Sequence, residues 1–323
     1  MSKDNSLRAS VIIVTYGSSK ELPECIAGLQ MQASKMEIFL VDNASPDNTA
    51  QVASEYAARY ENIHAILNAE NLGLAAGNNV PAKMCRGEYL LMLNPDTTFR
   101  DNSLDRMIEF MDRNPDVGVV GPKNIYGDGQ PHVSFRKRWG VRHVFTWRVL
   151  PYRIPRFLHD RFSSYDTQDV LYVSGSCLLI RREIFDQIGG YDPEYFLTIE
   201  DVADLCIRVK DTGKRIVFLG EEEVIHLSGK SGEQAPYIVV WHGNRGTVYH
   251  FLKHQGVFHA AAVSLLLLVA AGVRVVLASV FGIAKKRYRS VAQIYARVFW
   301  GLITKNPIWE RKLKLSSAPR STV

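Results

Sequence analysis

Five short segments of the chain each end an apolar run on side chains able to bind a cation, carry a proton or hold a polar ligand. They are Thr15-Tyr16-Gly17, Asp42-Asn43-Ala44-Ser45, Asn94-Pro95-Asp96, Glu200-Asp201 and His226. Carboxylate and amide oxygens suit a hard divalent cation, and a carboxylate or a neutral imidazole can also accept a proton. Plainer roles exist for each. Asn-Pro-Asp is a common turn former, Asp42 can cap its own turn, an acidic pair at a helix start is stabilised by the helix dipole, and His226 can be a core residue. Between the second and third segments, Asn71 to Asn79 is rich in small residues that let a ligand approach the backbone closely.

The elements that must position these residues follow from the apolar pattern. Val11 to Val14, Ile38 to Val41 and Tyr89 to Leu93 are continuous apolar runs, followed by helix-like stretches from Lys20, Thr49 and Ser103 respectively. Such runs at such separations predict parallel strands buried on both faces and joined by crossover helices, a doubly wound α/β sheet. Ligands of such sheets bind beyond the carboxyl ends of the strands, and the polar segments converge there on one edge. Further strands are expected within Val170 to Ile180 and at Arg215 to Leu219, leading into Val224-Ile225-His226. From His132 to Arg161 eight Lys or Arg face one Asp, with Trp139 and Trp147 interleaved. This stretch reads as a solvated loop or as a lid over an anionic substrate.

A chain of 323 residues with 46% hydrophobic and 22% charged residues is neither disordered, collagen-like nor held by disulfides. Cys25, Cys85, Cys177 and Cys206 lie far apart, without zinc or redox spacing, and read as buried thiols. The segment MSKDNSLRAS lacks the apolar core of a secretory signal, so the body is expected in the cytosol. Residues 285–323 carry ten Lys or Arg against Glu310 alone, a net +9 that leaves −3 for residues 1–284. A polyanionic partner, nucleic acid or an anionic leaflet, is implied for this tail. Residues 257–284 form an apolar stretch long enough to span a bilayer, but a single crossing would translocate the basic tail against the positive-inside bias, so a re-entrant or surface-lying arrangement is expected. Val291, Ile294, Tyr295, Val298, Phe299 and Leu302 follow helical spacing, with Arg289, Gln293 and Arg297 opposite. This is an amphipathic helix suited to a membrane interface or to packing on the body. Its aromatics lie on the apolar face, which argues against nucleic acid.

Val11-Ile-Ile-Val-Thr-Tyr16, Val41-Asp-Asn-Ala-Ser-Pro-Asp47, Asn71-Leu-Gly73, Leu93-Asn-Pro-Asp96, Gly189-Gly-Tyr-Asp192 and Glu200-Asp201 stand in the order and at the separations of an inverting family 2 glycosyltransferase. The Asn-Pro-Asp form resembles bacterial rhamnosyltransferase-type members. The resemblance covers residues 9 to 255 and implies a GT-A fold over residues 1–255; beyond it, the apolar and basic patterns make residues 256–323 membrane-associating helices. It further implies a nucleotide-sugar donor, dTDP- or UDP-linked, with Mg²⁺ or Mn²⁺ neutralising the diphosphate. The acceptor would be a glycan or a polyprenyl-diphosphate-linked glycan at the cytoplasmic face of the membrane, and the sugar L-rhamnose from dTDP-rhamnose.

Carried over residue by residue, Asp96 would hold the metal with His226 as an additional ligand, and Asn94 would lie beside it. Asp42 would bind the pyrimidine or ribose, Thr15 and Tyr16 would line the base pocket, and Asn71, Gly73 and Asn78 the nucleoside side. Asp201 would be the general base, with Glu200 orienting base or acceptor. Residues 227–234 would close over the donor. One departure stands out: where the family reads Glu-Asp-Val-Asp-Leu, this chain has Glu200-Asp201-Val202-Ala203-Asp204-Leu205. The extra residue turns Asp204 by about 100° around the helix and sets it four residues before Arg208, the spacing of a helix ion pair. It also leaves open a catalytically inactive module that binds a nucleotide sugar or assembles a polysaccharide-synthesis complex.

Overall fold

The computed structural model describes residues 7–149, 164–227, 236–285 and 287–309. Residues 228–234 of the expected closing loop at 227–234 and part of the basic stretch at 132–161 lie outside these residues, as does the chain beyond 309. Two compact units are formed: Met1–Arg138 with His159–Gln234, and Trp139–Leu158 with Ala235–Val323.

The first unit begins with the doubly wound pattern. Strand β1 (Ala9–Thr15), helix α1 (Leu22–Gln30), β2 (Met36–Asp42), α2 (Thr49–Arg59), β3 (Ile63–Leu67), α3 (Gly73–Ala82) and β4 (Tyr89–Leu93) follow in turn. Every residue of β1, β2 and β4 is buried, as apolar runs sandwiched between helix layers must be. After β5 (Thr97–Thr98), helix α4 (Ser103–Arg113) buries Leu104, Met107, Ile108 and Met111, one stripe at i, i+3, i+4 and i+7. Then come β6 (Val117–Ile125), β7 (Phe135–Arg136), helix α5 (Val141–Val144) of the second unit, β8 (Gln168–Asp169), β9 (Tyr172–Val173) and β10 (Cys177–Arg181). Helices α6 (Arg182–Gln187) and α7 (Glu200–Asp211) and strand β11 (Arg215–His226) complete the first unit.

The main sheet runs β3-β2-β1-β4-β10-β6-β11-β5, with β8 also on β11. Its β3-β2-β1-β4 half is parallel, as is the β6–β11 pair, whereas β10 runs antiparallel to both β4 and β6. From β1 the chain builds outward to β2 and β3 on one side, and β4 lies on the other. The strand order thus reverses between β1 and β4, which opens a crevice at their carboxyl ends. Val224 to His226 continues the strand begun at Arg215, the register slipping between Leu219 and Glu223. Within the 132–161 stretch, Phe135 and Arg136 pair with Val173 and Tyr172.

In the second unit, α8 (Pro236–His254), α9 (Val257–Ala284) and α10 (Arg287–Thr304) pack around Val248, Phe251, Val263, Leu267, Val298 and Leu302. Val298 and Leu302 belong to the amphipathic stripe read from the sequence, so that stripe faces other helices of its own unit. Helix α9 leaves an apolar stripe open. Phe258, Leu265, Val269, Val273, Val276, Val280 and Ile283 recur every three, four or seven residues, and each is more than half exposed. Arg274, the one charged residue of α9, is turned away from this stripe. Its Nη2 donates to the carbonyl of Arg148 at 2.7 Å and its guanidinium lies 5.2 Å from the Tyr295 ring centroid.

Candidate active site

At the ends of β1 and β2, Thr15 stands opposite Asp42 in the strand register. The Thr15 hydroxyl donates to the Asp42 carboxylate at 3.3 Å, and Ser45 donates to it through N–H at 3.1 Å and through Oγ at 2.5 Å. Ala44, at φ +55°, makes the tight bend that brings Ser45 back. Asp42 is therefore both buried and fixed. Tyr16 is half-buried on the next position of the same strand end.

The next residue, Asn43, donates to the Gly73 carbonyl at 3.0 Å and accepts from Asn68 at 2.8 Å. Asn71 accepts from the Gly73 N–H at 2.9 Å. Gly73 itself has φ +80°, and a Cβ there would lie 2.4 Å from the Phe196 carbonyl oxygen, while Leu74 N–H donates to that oxygen at 2.6 Å. Only glycine satisfies both the backbone angle and the close approach. Gly73→Ala is accordingly expected to cost about 2–3 kcal/mol, positive-φ strain plus displacement of the loop before α7, read as a lowered thermal midpoint of the full chain. Asn78 is buried, with its amide donating to Leu74 O at 2.9 Å in its own helix.

Neighbouring Asn79, which sequence reasoning missed, clamps the loop entering α7 to α3. Its Nδ2 donates to Tyr191 O at 2.8 Å and its Oδ1 accepts from Tyr191 N–H at 2.9 Å. A Cβ on Gly190, at φ +72°, would fall 2.6 Å from Asn79 Oδ1. The Gly189-Gly-Tyr-Asp192 motif thus exists to let the loop entering α7 dock on α3. No local pattern separates Asn79 from Asn78; the docking is a tertiary fact.

At the end of β4, Asp96 and His226 meet: Nε2 of His226 is 3.3 Å from Asp96 Oδ1, and the Asn94 side-chain amide is 3.5 Å from the same nitrogen. Pairing of β5 with β11, Thr97 opposite His226, holds them together, and Leu227 N–H donates to Asp96 O at 3.1 Å. His132 packs edge-on against His226, ring centroids 5.3 Å apart; it too escaped the sequence reading, since nothing local marks it. Among the described residues no three His, Cys, Asp or Glu side chains gather as a complete metal cage. One carboxylate, one imidazole and an amide nonetheless fit a cation that takes its remaining ligands from phosphate oxygens and water, as Mg²⁺ and Mn²⁺ do on substrate phosphates.

Glu200 and Asp201 open helix α7, both buried. Asp201 Oδ1 accepts from Val202 N–H at 2.6 Å, while Oδ2 meets no donor among the described residues. Burial, reinforced by the nearby Glu200 and Asp204 carboxylates, raises the Asp201 pKa to about 8. Glu200 accepts from the Thr198 hydroxyl. Asp204 pairs with Arg208 at 2.8 Å, as the four-residue spacing predicts, and Arg208 Nη1 also donates to the carbonyls of Ile188 and Gly190 at 2.9 and 2.7 Å. Asp204 therefore holds the guanidinium that braces the glycine turn.

The carboxyl end of β4 and the start of α7 are both in contact with the segment before β10. Ser176 O accepts from Asn94 N–H at 2.9 Å, and the Cβ position of Gly175 lies 2.7 Å from a Val202 methyl.

Comparison with known proteins agrees with this fold. Residues 10–189 match the sequence model of glycosyl transferase family 2. The chain is 30% identical over 271 residues to the N-acetylglucosaminyl-diphospho-decaprenol L-rhamnosyltransferase of Mycobacterium tuberculosis, covering 77% of this chain and 86% of that protein. It is 29% identical over 136 residues to the poly(ribitol-phosphate) beta-glucosyltransferase of Bacillus spizizenii, 41% of this chain and 22% of that one. Among solved structures, the mannosyltransferase PcManGT of Pyrobaculum calidifontis, in complex with GDP-Man and Mn²⁺, superposes with TM-score 0.56 at 19% identity, covering 95% of this chain and 89% of that one. The mixed, mostly parallel sheet is that of GT-A glycosyltransferases, and with more than half its length matched by the family pattern the chain belongs to glycosyl transferase family 2.

Proposed function

We propose that the protein transfers L-rhamnose from dTDP-rhamnose, with inversion, to a glycan carried on a polyprenyl diphosphate in cell-surface polysaccharide synthesis. The observation that carries this is Asp201: a buried carboxylate with one oxygen that meets no donor among the described residues and a pKa raised to about 8 by burial. In the reaction Asp201 Oδ2 takes the acceptor hydroxyl proton as that oxygen bonds to the anomeric carbon, and the bond to the diphosphate breaks with its electron pair. A base whose pKa lies near the working pH is matched to this task. Asp42 and Thr15 hold the nucleoside, with Tyr16 beside the base and Asn71, Gly73 and Asn78 behind it. Asp96 and His226, flanked by Asn94, would hold Mg²⁺ or Mn²⁺, which supplies positive charge to the departing diphosphate. Glu200 orients the acceptor.

The exposed stripe of α9, about 38 Å long at 1.5 Å per residue, exceeds what a soluble surface normally leaves apolar. Helix α9 is also long and apolar enough to cross a membrane. With the +9 tail behind it, the second unit would lie on the cytoplasmic face of the membrane, where a lipid-linked acceptor resides.

The test is a screen of nucleotide sugars with Mn²⁺ and a polyprenyl-diphosphate N-acetylglucosamine acceptor. dTDP-rhamnose is expected to raise the melting temperature most and to release dTDP only when acceptor is present. Stabilisation without release would instead make the chain a binding module.

A further inference from the structure

We propose that the cleft between α8 and α10 is a binding site for one anionic bilayer phospholipid, independent of the donor and acceptor sites. Tyr237 and Trp241 of α8 face Arg297, Trp300 and Gly301 of α10 across a cavity of about 430 Å³ that Lys305 also lines. The lining combines three aromatic rings with two cations. Gly301 lets the Trp241 ring pack directly on α10, because a Cβ at that position would meet that ring at 2.4 Å.

The two cations are placed for a phosphate. Arg297 stacks on Tyr237, its guanidinium carbon 4.0 Å from the ring centroid. That stacking fixes the plane of the group and leaves its N–H edge for an anion. Among the described residues neither Arg297 nor Lys305 has an acidic partner. Trp300 is 66% exposed and Trp309 is 50% exposed, and tryptophans on an apolar helical surface mark the headgroup level of a bilayer. The α9 stripe in the same unit supplies the surface that would bring this level to the cleft.

A cleft of about 430 Å³ takes a headgroup phosphate and the first carbons of a chain and leaves the rest of any lipid outside. Mass action then favours phospholipid over polyprenyl phosphate, since anionic phospholipid is a bulk component of the leaflet.

The experiment uses the full chain in mild detergent with phosphatidylglycerol, phosphatidylcholine or polyprenyl phosphate at equal mole fraction, read by native mass spectrometry. One phosphatidylglycerol per chain is expected to remain bound, at least tenfold in preference to phosphatidylcholine. Arg297→Ala/Lys305→Ala is expected to lose it, whereas the charge-matched Lys312→Ala/Lys314→Ala retains it. Chain-brominated phosphatidylglycerol should quench wild-type tryptophan fluorescence saturably, a readout that needs no variant. Equal retention of phosphatidylcholine, equal loss in the charge-matched control, non-saturating quenching, or displacement of phosphatidylglycerol by polyprenyl phosphate would each overturn the assignment.

Discussion

Asp201→Asn is expected to lower turnover about 10³-fold, the scale of a lost general base, and at the same time to make the protein more stable. The two effects have one origin. In the wild type burial, with the nearby Glu200 and Asp204 carboxylates, raises the pKa of this carboxyl to about 8, above the usual carboxylate range, and Oδ2 meets no donor among the described residues. Its folded-state pKa is raised above the unfolded value of about 3.9, so the folded protein binds the proton more tightly than the unfolded chain does. Stability therefore falls as pH rises from about 4 to 8. An amide carries no such penalty. The variant should match the wild type near pH 4 and exceed it progressively up to pH 8, by several kcal/mol at about 1.36 kcal/mol per pKa unit, measured as thermal midpoints across that range. Wild-type kcat/KM should rise with pH through the same interval, since the base acts only when ionised. A variant that loses stability at pH 8 along with activity would assign Asp201 a structural role.

Asp96→Ala is expected to reduce kcat/KM by a comparable factor, about 10³-fold, by removing the carboxylate at the diphosphate corner. What distinguishes it from Asp201→Asn is binding. Wild-type protein with dTDP and Mn²⁺ at about a hundred times the dissociation constant should gain about 2.7 kcal/mol of stability. Asp201→Asn should keep that gain, and Asp96→Ala should lose most of it. Thermal melts with and without Mn²⁺ check this directly. If dTDP stabilises the Asp96 variant as well as the wild type, the Asp96–His226 pair is not a metal corner.

What the sequence makes legible follows the range of the interactions involved. Strands β1, β2 and β4 are continuous apolar runs with polar ends, so Thr15, Asp42 and Asp96 could be placed at one edge from local pattern alone. The Asp204–Arg208 pair follows from helix spacing. Strand β3 is a partly exposed edge strand with a weak apolar signal, and it went unread. Asn79, His132 and Ser176 act through partners between 82 and 112 residues away, and no window along the chain contains both ends of such a contact. The amphipathic helix α10 shows the same limit from the other side. Its stripe is real, yet periodicity does not say whether protein or lipid covers it, and here Val298 and Leu302 are covered by protein.

The account depends on Asp96 and Asp201 acting on one bound donor. Diffraction from the full chain crystallised with Mn²⁺ and a non-hydrolysable dTDP-sugar tests this, using the anomalous signal of manganese to fix the ion. The expected result is a manganese peak within coordination distance of Asp96 and His226, with the anomeric carbon of the same donor turned toward Asp201 Oδ2 across a gap sized for one acceptor hydroxyl. A manganese peak at Asp96 whose donor points its anomeric carbon away from Asp201, or an ion bound elsewhere, would contradict it.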